Sequence, residues 1–228
     1  MPVQILGEEN TCGSFDYDGT LAEWPLLVQN FIQAGEILRL PAEPVIRHIG
    51  LVRKGARLPL DLDNTPFMVW PELEGDPNRH ARFVKEFHAI EIKAPYRMIE
   101  GALATLEWLN SRGVGLFLST SNKELTIWEK LRAIGIPPSI FRAVVTRDGA
   151  YVKPHPQAIV PILRQFGYEP EQCFHIGDSL DDIKFALDSG MQFIGVLTGV
   201  LDEEGFRQHG VEESRILPSV AGLWKLAA

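Results

Sequence analysis

Cysteine is scarce in this chain: Cys12 and Cys173 are the only two in 228 residues, and no Cys-x-x-Cys pair occurs. A disulfide framework is therefore not expected, and reduced thiols in a cytoplasmic protein are the simple expectation. A basic excess is also missing. Lys and Arg number 22 against 30 Asp and Glu, for a formal charge of -8, which argues against a nucleic-acid partner. Long apolar runs are absent too. The longest, 191–201, is broken by Gln192 and Thr198 and reaches about half of what a membrane span needs. Residues 1–11 lack a basic start and an apolar centre, so neither a signal peptide nor a membrane partner is expected. No P-loop, no dinucleotide fingerprint and no His-Glu-x-x-His occurs, and the six histidines show no ligand spacing. Those chemistries are set aside.

What is present is an ordinary globular composition, 45% apolar and 23% charged. At roughly 100–200 residues per domain, the length suits one large domain or one domain with an insertion. In the C-terminal half, short apolar runs at 114–118, 143–145, 173–176 and 193–196 alternate with helical periods at 123–134, 156–166, 179–188 and 219–227. Such alternation predicts an α/β fold, a Rossmann-like, mostly parallel sheet flanked by helices. Pro161 should kink the second of these helical stretches, 156–166, or push its start later. The segment 11–15 is polar for a buried first strand.

Residues 23–94 read differently. Helical spacing over 24–40 and 76–92 flanks a proline-bearing stretch, 58–74, expected to be loop. Pro77 suits a first helical position. The division expected is a core of 1–22 and 95–228 with an inserted α-helical cap over 23–94.

Four motifs fall where strands should end. Phe15-Asp16-Tyr17-Asp18-Gly19-Thr20 places two carboxylates beyond the first strand. Open α/β sheets bind ligands at that edge. Leu118-Ser119-Thr120-Ser121-Asn122 runs a strand into hydroxyls; these could hold an anion, or Ser121 or Asn122 could cap the next helix. Lys153 precedes a proline-marked helix start, where its charge could enter the crevice or stay in solvent. Gly177-Asp178-Ser179-Leu180-Asp181-Asp182 opens a helix with three acids, one turn apart at Asp178 and Asp182. Converging carboxylates repel, and a hard divalent cation relieves them. With Lys153 and a hydroxyl, the set suits phosphoryl transfer to a carboxylate.

All four motifs, in this order, resemble those of the haloacid dehalogenase-like (HAD) hydrolase superfamily. The helical insertion, with Leu40-Pro41-Ala42-Glu43-Pro44-Val45-Ile46-Arg47-His48-Ile49-Gly50-Leu51, is similar to the cap of its phosphoglycolate phosphatase and β-phosphoglucomutase branch. The resemblance implies Asp16 as nucleophile and Asp18 as general acid, then base. It implies Thr120 as the phosphoryl-binding hydroxyl with the Ser121 amide beside it, although Ser119 or Ser121 could take that role. Lys153 would steady the charges. Mg2+ would be held by Asp16, Asp178 and the backbone carbonyl of Asp18, with Asp182 supporting that set or orienting Lys153. Arg53 matches a position where mutases of the branch grip a phosphate. Arg47, His48 and Lys54 are further candidates for specificity. The expected activity is Mg2+-dependent hydrolysis of a small phosphorylated metabolite, with phosphoglycolate leading. A phosphosugar mutase and a non-catalytic binding protein are the alternatives.

Overall fold

A computed structural model describes residues 3–5, 8–23, 26–91, 93 and 96–226. Trp24, Ile92, Ala94 and Ala227, where several expected boundaries fall, lie outside them. The chain opens with an antiparallel pair, β1 (Val3–Ile5) and β2 (Glu8–Asn10). The central strand β3 (Cys12–Phe15) follows. Helices α1 (Leu26–Ile37), α2 (Glu43–Arg53), α3 (Thr65–Val69) and α4 (Pro77–Glu91) come next. The remainder runs α5 (Ala102–Ser111), β4 (Gly115–Ser119), α6 (Glu124–Ala133), β5 (Ala143–Val145), α7 (Val160–Gln165), β6 (Cys173–Gly177), α8 (Leu180–Ser189), β7 (Gln192–Val196), α9 (Glu203–Gln208) and β8 (Ile216–Leu217).

Six strands form one parallel sheet in the order β5-β4-β3-β6-β7-β8. The chain reverses direction across the sheet at β3, so the crevice beyond its end is a topological switch point. Phe15 pairs with Leu118 on one side and Ile176 on the other. The residues just after these three, Asp16, Ser119 and Gly177, are therefore level with one another. Packing fills both faces of the sheet. Leu106 and Leu109 of α5 with Ile127 and Leu131 of α6 cover one face. Leu163 of α7, Phe185 and Ala186 of α8 and Phe206 of α9 cover the other.

The polarity of β3 has a structural reason. Ser14 is completely buried, and its hydroxyl bonds Ser119 Oγ at 2.9 Å and His175 Nδ1 at 3.0 Å across the two neighbouring strands. Gly13 is required by close approach, because a Cβ there would stand 2.3 Å from the Phe174 ring. A run of large apolar residues could do neither.

Helices α1–α4 carry their own apolar centre. Phe31 stacks on Trp70 at 5.5 Å and meets Phe83 edge-on at 4.8 Å, with Phe87 at 6.0 Å. Such pairs add about 0.5–1.5 kcal/mol each beyond the area they bury. Pro77 does stand at the first position of α4, and Asp76 Oδ1 accepts from the Arg79 amide to cap it. The end of α2 reaches the sheet domain's last third: the Asp202 amide donates to the Arg53 carbonyl at 2.9 Å, and His209 Nε2 lies 2.8 Å from the Gly55 carbonyl.

Three expectations need correction, and one about Pro161 holds. Cys12 and Cys173 form a disulfide, because they are register partners on the adjacent strands β3 and β6. Reduced cysteines are thus removed as a reason to expect a cytoplasmic protein. The stretch 58–74 is not all loop, since it holds α3 and a 3-10 turn at Pro71–Leu73. Pro66 and Pro71 sit in the first turns of these pieces, where a missing N–H costs nothing. The closing segment is a 3-10 helix, Val220–Leu226, rather than an α-helix. Pro161 does delay its helix: a 3-10 turn at Pro156–Ala158 precedes α7, which starts at Val160.

Candidate active site

The ends of β3 and β6, the first turn of α8 and the segment between β5 and α7 bring Asp16, Asp178, Asp182 and Lys153 together, all buried. Lys153 Nζ donates to Asp16 Oδ1 at 2.5 Å and to Asp182 Oδ1 at 2.7 Å, with the Ser119 carbonyl at 3.4 Å. Burial alone would lower the lysine's pKa, but the two carboxylates overrule it and raise the value. The ammonium is therefore a permanent charge. Burial also dominates at Asp16, lifting its pKa to about 7 despite Lys153, with Asp182 and Asp18 adding repulsion.

Asp182 anchors the set. It stands in the first turn of α8, and a capping box with Ser179 fixes it there. Its Oδ2 accepts from the backbone amides of Asp178 and Ser179 and from the Ser179 hydroxyl. Its Oδ1 takes Lys153 and, at 2.9 Å, His175 Nε2. Burial alone would raise Asp182, but Lys153 and His175 more than cancel it and hold the carboxyl ionised. Burial pushes His175 down, so the ring is neutral. An ionised Asp182 can only accept, so His175 Nε2 carries the proton. Nδ1 then accepts from the Ser14 hydroxyl, and Ser14 accepts from Ser119. The sequence suggested only a strand residue at His175; its pairing with Asp182 depends on tertiary placement.

That chain uses the Ser119 hydroxyl. Thr120 presents the next one. Its Oγ1 accepts from the Asn122 amide at 3.1 Å and from Asn122 Nδ2 at 2.8 Å. Asn122 Nδ2 also donates to Asp18 Oδ2 at 2.6 Å. Asp18 is more open than Asp16, with its side chain 43% exposed. Gly19, at φ +80°, turns the chain there, and a Cβ on it would strike Asp178.

Asp16, Asp178 and Asp182 offer carboxylate oxygens within 4.8 Å of one another. Burial, then repulsion from Asp182 and Asp16, pushes Asp178 well above its ordinary range. Crowded, buried, all-oxygen donors of this kind fit a hard divalent cation such as Mg2+. Asp182 is already saturated by its five donors. Asp178 has one oxygen taken, by the Val200 amide at 2.6 Å, which leaves the other available.

A model of haloacid dehalogenase-like hydrolases matches residues 14–190. This chain belongs to that family. It is 28% identical over 196 residues to a glyceraldehyde 3-phosphate phosphatase of Methanopyrus kandleri, covering 81% of this chain and 83% of the relative. It is 27% identical over 197 residues to a phosphoglycolate phosphatase of Agrobacterium fabrum, covering 82% and 81%. The crystal structure of a predicted phosphoglycolate phosphatase from Haemophilus somnus 129pt superposes with a TM-score of 0.76 at 22% identity, covering 95% and 97%.

In this HAD-like hydrolase a cleft of about 650 Å³ opens beside the strand ends. Residues 56–61, after α2, line one side; Ser121, Ser179, Asp181 and Val200 line the other. Arg57 faces it, and Arg53 is not among its lining residues. The other cap candidates are also elsewhere: His48 Nε2 lies 2.7 Å from the Pro59 carbonyl, Lys54 pairs with Glu204 at 3.1 Å, and Arg47 is exposed on α2. The sequence offered no signal for Lys130, whose Nζ donates to Asn122 Oδ1 at 2.7 Å. Nor is α6 capped by Ser121 or Asn122: the Glu124 amide donates instead to Asp148 Oδ2 at 2.7 Å.

Proposed function

We propose that this HAD-like phosphatase hydrolyses a small phosphate monoester through an aspartyl-phosphate on Asp16, with Mg2+. The observation that carries the reading is the buried Asp16 carboxylate, held 2.5 Å from Lys153 at the end of the central strand. Asp16 attacks phosphorus as the ester P–O bond breaks, and Asp18 gives its proton to the departing oxygen. Water then attacks the acyl phosphate, Asp18 takes the water's proton, and Asp16 is regenerated as inorganic phosphate leaves. Thr120 would donate its hydroxyl to a phosphoryl oxygen, and the Ser121 amide would stand beside it. Asp182 would hold Lys153 in place. Bound by Asp16, Asp178 and the Asp18 carbonyl, Mg2+ would supply positive charge against the transferring group.

Residues 23–94 would act as a cap over a core of 1–22 and 95–228, closing the cleft and excluding water. Phosphoglycolate and glyceraldehyde 3-phosphate lead as substrates, because relatives carrying those names align over four-fifths of the chain. The test is phosphate release from a panel of these two, sugar phosphates, nucleotides and an aryl phosphate, with Mg2+ or with EDTA. Mg2+-dependent release that EDTA abolishes is the expected result. No release from any ester, with aspartyl-phosphate trapped at residue 16 from a bisphosphate donor, would instead establish a mutase.

A further inference from the structure

Asn122 stands between the two groups that must act on opposite ends of the breaking P–O bond, and its side chain has no other duty in the fold. The first turn of α6 is capped by Asp148, so Asn122 is not spent on the helix. Every polar group of its amide is used. Oδ1 accepts from Lys130 Nζ at 2.7 Å, while Nδ2 donates to Asp18 Oδ2 at 2.6 Å and Thr120 Oγ1 at 2.8 Å. An ammonium cannot accept a hydrogen bond, so Lys130 dictates which end of the amide faces it. With Oδ1 turned to Lys130, the NH2 must face Asp18 and Thr120. Lys130 is itself held: its side chain is 15% exposed, and its Nζ lies 5.2 Å from the Tyr96 ring and 5.9 Å from the Tyr17 ring. It also stands 3.9 Å from Asp18 Oδ1.

We propose that Asn122, oriented by Lys130, is a positioning residue that sets the general acid Asp18 and the phosphoryl-binding Thr120 as one unit. The inference rests on the phosphatase reading above. At Thr120, Oγ1 accepts two N–H bonds, from the backbone and side chain of Asn122. Its own proton is thereby directed outward, as a donor for a phosphoryl oxygen. At Asp18, Oδ2 is occupied by Asn122, which leaves Oδ1 to carry the proton that passes to the departing ester oxygen. The pair thus sets both the direction of the Thr120 proton and the proton-bearing atom on Asp18.

The readout is leaving-group dependence, which a merely structural role would not move. An alkyl phosphate needs its leaving oxygen protonated; an aryl phosphate with an acidic phenol scarcely does. kcat/KM for both esters is measured in wild type, Lys130→Met, Lys130→Arg and Asn122→Ala, each checked for fold by circular dichroism. The alkyl-to-aryl ratio is expected to fall about tenfold or more in Lys130→Met and Asn122→Ala. Lys130→Arg, which keeps the donor and the charge, recovers most of it. An equal loss for both esters overturns the proposal. If wild type hydrolyses neither ester, the phosphatase reading falls on its own. Crystal structures of wild type and Lys130→Met then decide the positioning role: Asp18 parted from Asn122 in the variant supports it, and Asp18 unmoved overturns it.

Discussion

Asp182 and Phe83 are both completely buried, and each sits at the centre of its region. Around Asp182 are an ammonium, an imidazole, two backbone amides and a hydroxyl, each aimed at a particular oxygen. Around Phe83 are the rings of Phe31, Trp70 and Phe87, arranged edge-to-face or tilted. The strand-end site is specified by direction and charge. The helical region is specified by volume. Directional networks fail when any one partner is lost, because the others are left buried and unpaired. Aromatic packing degrades in proportion to the space vacated. Under the proposed function the first kind of order would serve catalysis and the second a cap.

The largest effect expected lies in chemistry. Asp16→Asn should cut phosphate release by more than about a thousandfold, since an amide is no nucleophile toward phosphorus. Its melting temperature at pH 8 should not fall below that of wild type, because burial penalises the ionised carboxylate that the neutral amide replaces. Undiminished turnover in the folded variant would remove Asp16 from the mechanism.

Shape-preserving substitutions test the contrast next. Asp182→Asn keeps the volume but turns an NH2 toward existing donors, and should cost about 3 kcal/mol or more in urea unfolding. Phe83→Leu should cost about 1–2 kcal/mol. Equal costs would break the distinction between the two regions.

Proton linkage offers a subtler test, made in EDTA. Asp16 has its native pKa raised to about 7, so its contribution to stability is present below the ordinary carboxylate value and lost as pH rises through 7. The stability of Asp16→Asn relative to wild type should therefore grow between pH 4 and 8. Asp182 and His175 are lowered and act oppositely. Their contribution is present at higher pH; that of His175 begins to be lost as pH falls below about 6.5, and that of Asp182 below about 4. Adding Mg2+ should raise the wild-type melting temperature more at pH 8 than at pH 5, because ligand carboxylates must be deprotonated. An equal rise at both would count against carboxylate ligation.

The smallest effect belongs to the exposed pair Lys54–Glu204. Lys54→Ala should change stability by less than about 1 kcal/mol. A larger loss would mean that this contact between α2 and α9 holds the helical region to the sheet.

Asp16, Lys153, Asp178 and Asp182, which the fold brings together, were legible as candidates because their motifs pair a strand end or a helix start with chemistry that such a place can use. So were the parallel sheet and the two long helices of residues 26–91, α1 and α4, whose apolar periods are local. The phosphoryl-binding hydroxyl was legible only to within one residue of Thr120, with Ser119 and Ser121 left open. That the Ser119 hydroxyl is drawn inward could not be read locally, because its partner Ser14 lies more than a hundred positions away. Ser14 looked like an irregular residue in a weak strand until its two cross-strand partners were in view. Lys130 carried no signal, because a lysine in an amphipathic helix is usually a solvated one.

Periodicity, turn residues and four short motifs were enough to determine an α/β sheet and the acids and lysine at its edge, since these are properties of neighbouring residues. Tertiary structure alone decided three things. It paired Cys12 with Cys173 by strand register, and it brought Lys130 and Asn122 to Asp18. It also turned the cleft toward Arg57 rather than Arg53. Each depends on where segments distant in the chain come to rest, and packing of the whole sets those distances.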